Sequence, residues 1–395
     1  MSRNYVALLA GSILFGLGIG TYEFTLPYYL DSVGISVPRM GLIYAIGAIG
    51  IYLLRMYAGN LSDRFGRKAL YSFSLGLATV AAAVTPSTVV LWLQTLFKSA
   101  YDAGAMIFDS MYQLCLHDDD RDKYIGRVGK IQGAQALAAA LATVIAGVVV
   151  GKNLYSGAFY LASGAFLAAM LAFGARYRTG NQANNAQAAQ SSGLRSVLPI
   201  GLPRPLLVLA LTGFIFTVGL STSHCFVMQL FWERQFGASR PEIGVILMLH
   251  RFTIAVPLLL LRWSARGRLR EIFMAFLALE GVILIASGLI SNFLIAAAVW
   301  LTHDLLGAGV WMPAQSALIQ RYSREETRGR DVTQVFALSS LGWVFGPLIA
   351  GAVFEHWYGG PFVLSGVLMV VAACVLLLLP GQARAGEQKS VESIG

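Results

Sequence analysis

The sequence predicts an all-α polytopic membrane protein, with twelve transmembrane helices in two pseudo-symmetric six-helix halves. Three observations carry that prediction. Of 395 residues, 56% are hydrophobic and only 12% are charged, about half the charged share of an ordinary soluble domain. Apolar runs of about 20 residues, long enough to cross a bilayer as a helix, recur twelve times. One polar stretch, TGNQANNAQAAQSSGLRSVLPIGLP at residues 179–203, divides the series evenly and reads as a flexible linker.

The runs lie near residues 5–30, 39–61, 69–86, 88–114, 126–150, 154–176, 204–231, 241–263, 271–290, 293–319, 331–353 and 360–380. The first is too long for a signal peptide, carries Glu23 and lacks a small-residue cleavage site before the next run, so it reads as a retained helix. Its Gly11, Gly16, Gly18, Gly20 and Pro27 permit close helix contact or loosen the backbone ladder. The second run ends beyond Arg55 in GNLSDRFGRK, residues 59–68. The third is plain. The fourth contains LFKSAYDAGAMIFDSMY, residues 96–112, with a lysine and two aspartates in an apolar frame. At 100° per residue, Lys98, Asp102, Asp109 and Gln113 fall within about 60° of one another, flanked by Tyr101 and Tyr112. A charge at bilayer depth costs at least about 2.5–3.5 kcal/mol on insertion scales, so this stripe calls for a partner or a function.

The fifth run, GKIQGAQALAAALATVIAGVVVG, and the sixth are small and apolar. In the second half the seventh run carries His224, the eighth His250 and Arg251, the ninth Glu280, and the tenth Trp300, His303, Asp304 and Trp311. The eleventh holds Trp343 with Gly342, Gly346, Pro347 and Gly351; the twelfth ends at Pro380 before the tail 381–395. His250 reads as a packing histidine and Glu280 as a satisfied structural carboxylate. The domain plan is therefore 1–178, the linker 179–203, 204–380, and the tail.

The net charge of +9 is a topology signal. Arg64, Arg67, Lys68, Arg121, Lys123, Arg127, Arg176, Arg178 and a matching second-half set fall on one side, against Arg39, Lys152, Arg234 and Arg240 on the other. The positive-inside rule then puts both termini in the cytoplasm of a bacterial-type plasma (inner) membrane and leaves no reason to invoke nucleic acid. Cys115, Cys225 and Cys374 are scattered in or beside apolar runs, which gives neither a disulfide framework nor a metal-ligand spacing. There is no P-loop, nucleophile elbow or metal-ligand cluster, so neither an enzyme nor a cofactor is expected.

GNLSDRFGRK resembles the G-x-L-x-D-R-x-G-R-[RK] signature of the major facilitator superfamily, and it lies after the second run as the signature does. GAGVWMPAQSALIQRYSREETRGR at 307–330 and LGWVFGPLIAG at 341–351 are similar to family patterns at corresponding places. The halves echo each other, IGR at 125–127 answering RGR at 328–330 and SDR at 62–64 answering SAR at 264–266, as in duplicated transporters. Two departures stand out: Ala265 replaces the second aspartate, and the fifth run lacks the Gly-Pro pair of the family's antiporters. The resemblance implies that Arg55, Gly59, Asp63, Arg64, Gly66, Arg67 and Lys68 form a cytoplasmic gate, and that helices 1, 4, 7 and 10 line a central cavity.

The function expected is secondary active transport of a small polar or charged organic solute by alternating access, coupled to protons, with symport preferred to antiport. The alternative is an exporter or uniporter of amphiphiles such as drugs or lipids. Glu23, Asp102 and Asp109 are the expected proton carriers; Lys98, Tyr101, His224, Arg251, His303 and Asp304 are expected to face the substrate. Glu23 and Lys98, nearly level on adjacent helices, form the first ion pair considered, with Lys98 and Asp102 at i, i+4 the competitor. The partners are the solute, protons and the bilayer, and the protein is expected to be a monomer.

Overall fold

A computed structural model of the chain describes residues 2–119, 124–178, 201–260 and 268–380, with backbone alone at 53–64, 125, 254–260, 308–309, 326 and 329. Most of the linker, the whole tail, and the side chains of Arg55, Gly59, Asp63 and Arg64 lie outside the described residues. What is described is helical, with no strand.

Fifteen α-helices run in order: α1 Arg3–Ser32, α2 Val37–Phe65, α3 Arg67–Val84, α4 Leu91–Asp119, α5 Tyr124–Gly151, α6 Tyr155–Arg176, α7 Arg204–His224, α8 Val227–Phe236, α9 Arg240–Leu260, α10 Leu269–Leu289, α11 Phe293–Leu306, α12 Ala308–Tyr322, α13 Arg328–Ser340, α14 Gly342–Phe354 and α15 Gly360–Val375. They trace the twelve apolar runs, three of which are each divided between two helices: α7 with α8, α11 with α12, and α13 with α14. Among the described residues, nine helical stretches are long and apolar enough to cross a membrane. The break before α14 has a visible cause. A Cβ on Gly342 would lie 2.6 Å from the Val218 nitrogen, and the Gly342 carbonyl accepts a hydrogen bond from Ser221 Oγ at 3.0 Å, so α7 supplies the contact that a continuous helix would exclude.

The described residues fall into two compact units. One comprises residues within 1–192, 224–252 and 347–358; the other comprises residues within 193–223, 253–346 and 359–395. In the first unit α1 packs on α5 and α6, and α4 packs between α2 and α3. In lipid, close contact rather than escape from water holds helices together, which favours small residues at crossings. Accordingly, a Cβ on Gly16 or Gly20 would collide with the carbonyl of Gln135 or Ala139 on α5. Aromatic rings fill the rest: Phe15 stacks on Phe108 with centroids 3.6 Å apart, and Tyr22 on Tyr101 at 3.9 Å.

The same unit carries a second set of backbone contacts. A Cβ on Gly147 (α5) would sit 2.6 Å from the Arg240 carbonyl, one on Gly244 (α9) 2.6 Å from that of Thr143, and one on Gly351 (α14) 2.9 Å from that of Val37; Gly41 (α2) meets the Pro347 carbonyl. Charged groups clasp this seam. Arg234 pairs with Asp31. Arg240 pairs with Glu233 at 3.0 Å and donates to the Val150 carbonyl, Asn153 Oδ1 and the Tyr155 hydroxyl. In the second unit α10 packs on α15, α11 and α12, and a Cβ on Gly281 would lie 2.6 Å from the Gly366 carbonyl.

The signature loop turns at Gly66, whose φ of 82° is a conformation that glycine adopts without the penalty of a Cβ. Immediately after it, Arg67 pairs with Asp118 and donates to the Leu114 carbonyl at 3.2 Å. Lys68 donates to the Tyr177 and Gly174 carbonyls at 2.8 and 3.3 Å. Both cations tie the loop to α4 and α6 of its own unit.

Candidate functional site

A cavity of about 360 Å³ opens in the first unit, lined by α1, α4, α5 and Arg251 of α9. The glycine contacts that bring α1 against α5 make this possible, because Gly16 and Ala139 leave the wall free of bulk while Glu23 projects one to two turns further along. Glu23 Oε2 and Arg251 Nη2 are 3.6 Å apart, with the side chains 48% and 32% exposed. Asp109, also exposed, adds a second carboxylate. Gln113, Gln132, Gln135 and Tyr112 complete the polar lining, and Gln132 Nε2 donates to the Tyr112 hydroxyl at 3.0 Å.

The site therefore presents two carboxylates, one guanidinium, three amides and a phenol. A pair this open to solvent gains little from Coulomb attraction, so either partner can exchange the other for a solute group at small cost. The amides both donate and accept, which suits hydroxyl, carbonyl or amide groups.

Two turns away the same face of α4 is sealed. Lys98 and Asp102 are 7% and 9% exposed and form an ion pair with each other. The Lys98 ammonium lies 4.6 Å from the Tyr44 ring centroid and 5.5 Å from that of Tyr101. Gly47 of α2 closes over the pair, and a Cβ there would strike Asp102 Oδ2. This corrects the ion pair first considered. Lys98 is held by Asp102 because i, i+4 geometry on one helix face needs no alignment between helices, and the ion-pair partner of Glu23 is Arg251.

Of the residues expected at the substrate, Arg251 is on the cavity wall with two of the expected proton carriers, Glu23 and Asp109, whereas Lys98 and Tyr101 sit in the sealed cluster with the third, Asp102. His224 is partly exposed, its ring 5.6 Å from that of His250. In the second unit His303 and Asp304 are buried: His303 Nδ1 contacts the Trp300 carbonyl, and Nε2 lies 3.3 Å from Asp304 Oδ2. Gln132 and Gln135 are cavity residues that charge-based reading passes over. Their signal is two amides one turn apart in a run otherwise small and apolar.

The family model for the Major Facilitator Superfamily matches residues 8–231 and 211–394. Multidrug resistance protein 2 of Bacillus subtilis (strain 168) is 23% identical over 386 residues, covering 93% of this chain and 92% of that protein. Tetracycline resistance protein, class C, of Escherichia coli is 25% identical over 408 residues, covering 94% and 96%. Among solved structures, that of the nucleoside transporter NupG superposes with a TM-score of 0.80 at 11% identity, covering 96% of this chain and 99% of the other; this likeness shows the fold.

Proposed function

This chain belongs to the Major Facilitator Superfamily and is a multi-pass membrane transporter, not an enzyme; from that premise we propose that it exchanges a small organic solute for protons through the cavity of Glu23, Asp109 and Arg251. The observation that carries the reading is that two carboxylates, Glu23 and Asp109, line one water-open space together with a single described guanidinium, Arg251. When Arg251 turns to a solute group, the Glu23 carboxylate it pairs with takes either a proton or a cationic group of the solute. Such competition for one negative charge is what couples opposite movements of solute and proton. The volume suits a compact solute, at the lower end of the range of about 300–1,000 Å³ for ligand sites.

The direction is read as export, so antiport takes the place of the symport preferred from sequence. Two relatives aligned over more than nine-tenths of the chain are named for drug and tetracycline resistance, which supports that direction. In this reading the halves 1–178 and 204–380 rock about the linker in a plasma membrane, with both termini cytoplasmic and the protein monomeric. Gly66, Arg67 and Lys68 brace the gate, and Asp102, held by Lys98, stays outside the proton path.

The test uses purified protein in liposomes, with a pH-sensitive dye inside and tetracycline or a fluorescent lipophilic cation as probe. Glu23→Gln or Asp109→Asn is expected to abolish accumulation driven by a proton gradient while leaving exchange between loaded vesicles. Wild-type accumulation in both variants would sink the reading.

A further inference from the structure

Glu280 on α10 has no exposed surface, and the expectation that it is a satisfied structural carboxylate is met only by half. Its Oε2 accepts from the Trp311 indole N–H. Its Oε1 has no hydrogen-bond partner among the described residues. Trp311 is itself fixed, edge-on to Phe216 at 4.5 Å and stacked against Phe273 at 5.4 Å.

The side chain enters the break between α11 and α12. A Cβ on Gly307 would lie 2.6 Å from the Glu280 Cβ and would also meet the His303 carbonyl, so a glycine at the break is what admits the carboxyl group. A helix that stops leaves its last carbonyls without intrahelical donors, and Gly307, the C-cap of α11, has no side chain to offer them. An ionised carboxylate, which only accepts, has nothing to offer those carbonyls; a carboxylic acid has one hydrogen to give.

Among the described residues no ion pair joins Glu280 to a cation. The Asp304 charge of α11 acts on it, and the ring of His303 is engaged with the Trp300 carbonyl and Asp304 itself. The α15 helix carries no charged residue. Arg321 and Tyr322 of α12 are ten and eleven residues beyond Trp311, about 15 Å along the axis at 1.5 Å per residue. On α10 itself Arg270 and Glu271 lie more than two turns away. A fully buried carboxylate without a cation is the arrangement that burial disfavours most.

We propose that Glu280 is a proton-binding site: Oε1 carries the hydrogen while the carboxyl fills the Gly307 break, and it gives that proton to water when the break rearranges. None of these residues is among those lining the cavity of Glu23 and Asp109. The site adds a proton-sensitive joint in the second unit.

Infrared difference spectroscopy of the purified protein in lipid, on exchange of H2O for D2O, reads a buried carboxylic acid directly and without transport. The wild type is expected to show an acid C=O band that is missing from Glu280→Gln. That variant should keep the wild-type melting temperature, because glutamine preserves the acceptor for Trp311 and adds a donor. Its proton-driven accumulation of the probe should fall at least tenfold, with exchange between loaded vesicles retained. If Glu280→Gln fails to fold, Trp311→Phe serves, and the acid band is expected to move as its C=O loses the indole donor. An acid band unchanged in either variant overturns the proposal, and so does wild-type accumulation in Glu280→Gln. The band is independent of Glu23 and Asp109, so its loss or persistence leaves the cavity reading to its own test.

Discussion

One polar stripe on α4 meets two environments. At Lys98 and Asp102 it is closed in by Gly47, Tyr44 and Tyr101; at Asp109 and Gln113, two to three turns on, it opens into the cavity. The stripe is continuous in sequence and the difference comes from the neighbours. Where α2 presents a glycine, it approaches until water is excluded and only an internal pair is tolerated. Where α5 presents glutamines across from α1, a space remains and the charges stay wet. Polarity in a membrane helix thus marks a place needing satisfaction, while the facing helix decides whether that place is a strut or a site.

The comparison breaks most visibly at Asp102. Asp102→Ala strands a buried ammonium, and it is expected to cost about 3–5 kcal/mol of stability, whereas the double change Lys98→Met with Asp102→Leu restores most of it. Asp109→Ala, at the exposed end, should change stability by less than about 0.5 kcal/mol while stopping transport. Unfolding in detergent followed by circular dichroism separates the three.

Next in size is Gly47→Ala, whose methyl group must displace Asp102 and is expected to cost about 1–3 kcal/mol as overpacking. Gly50, one turn along α2, is its control: a Cβ there would meet nothing within 4 Å among the described residues, and Gly50→Ala should gain about 0.5–1 kcal/mol from helix propensity. Equal melting temperatures for the two variants would refute the sealed-strut description. The smallest effect sharpens the other end. Gln132→Ala removes one neutral hydrogen-bonding group from the cavity, worth about 1 kcal/mol or roughly fivefold in solute affinity, and should leave stability unchanged in the same unfolding assay.

Much of this architecture is legible without coordinates, because bilayer thickness fixes helix length and the 3.6-residue period fixes which side chains share a face. The stripe of α4 is legible for that reason, as are Glu23 and Arg251 as charges in apolar runs. Their pairing is not, since it depends on where α9 places Arg251 relative to α1. Gln132 and Gln135 escape notice because an uncharged amide is tolerated in a membrane helix and raises no alarm. The breaks at Gly307 and Leu341 are hidden for a related reason: apolar runs stay continuous through them, and what meets the helix at each break comes from elsewhere in the chain, the Glu280 side chain in one case and α7, through Val218 and Ser221, in the other.

The glycine seam at Gly41, Gly147, Gly244 and Gly351 bears on how readily this part of the molecule comes apart. Backbone lies against backbone there, with the Thr143 hydroxyl donating to the Gly244 carbonyl at 3.1 Å, so the joint offers little side-chain interlock against sliding. Contacts of this kind are worth on the order of 0.5–1 kcal/mol each and are indifferent to salt. The clasp of Asp31 with Arg234, each about a third exposed, is screened as ionic strength rises. Salt therefore acts on the fastener and leaves the fabric untouched, so the rate at which the seam parts should climb with ionic strength although the crossings themselves are glycine and main chain.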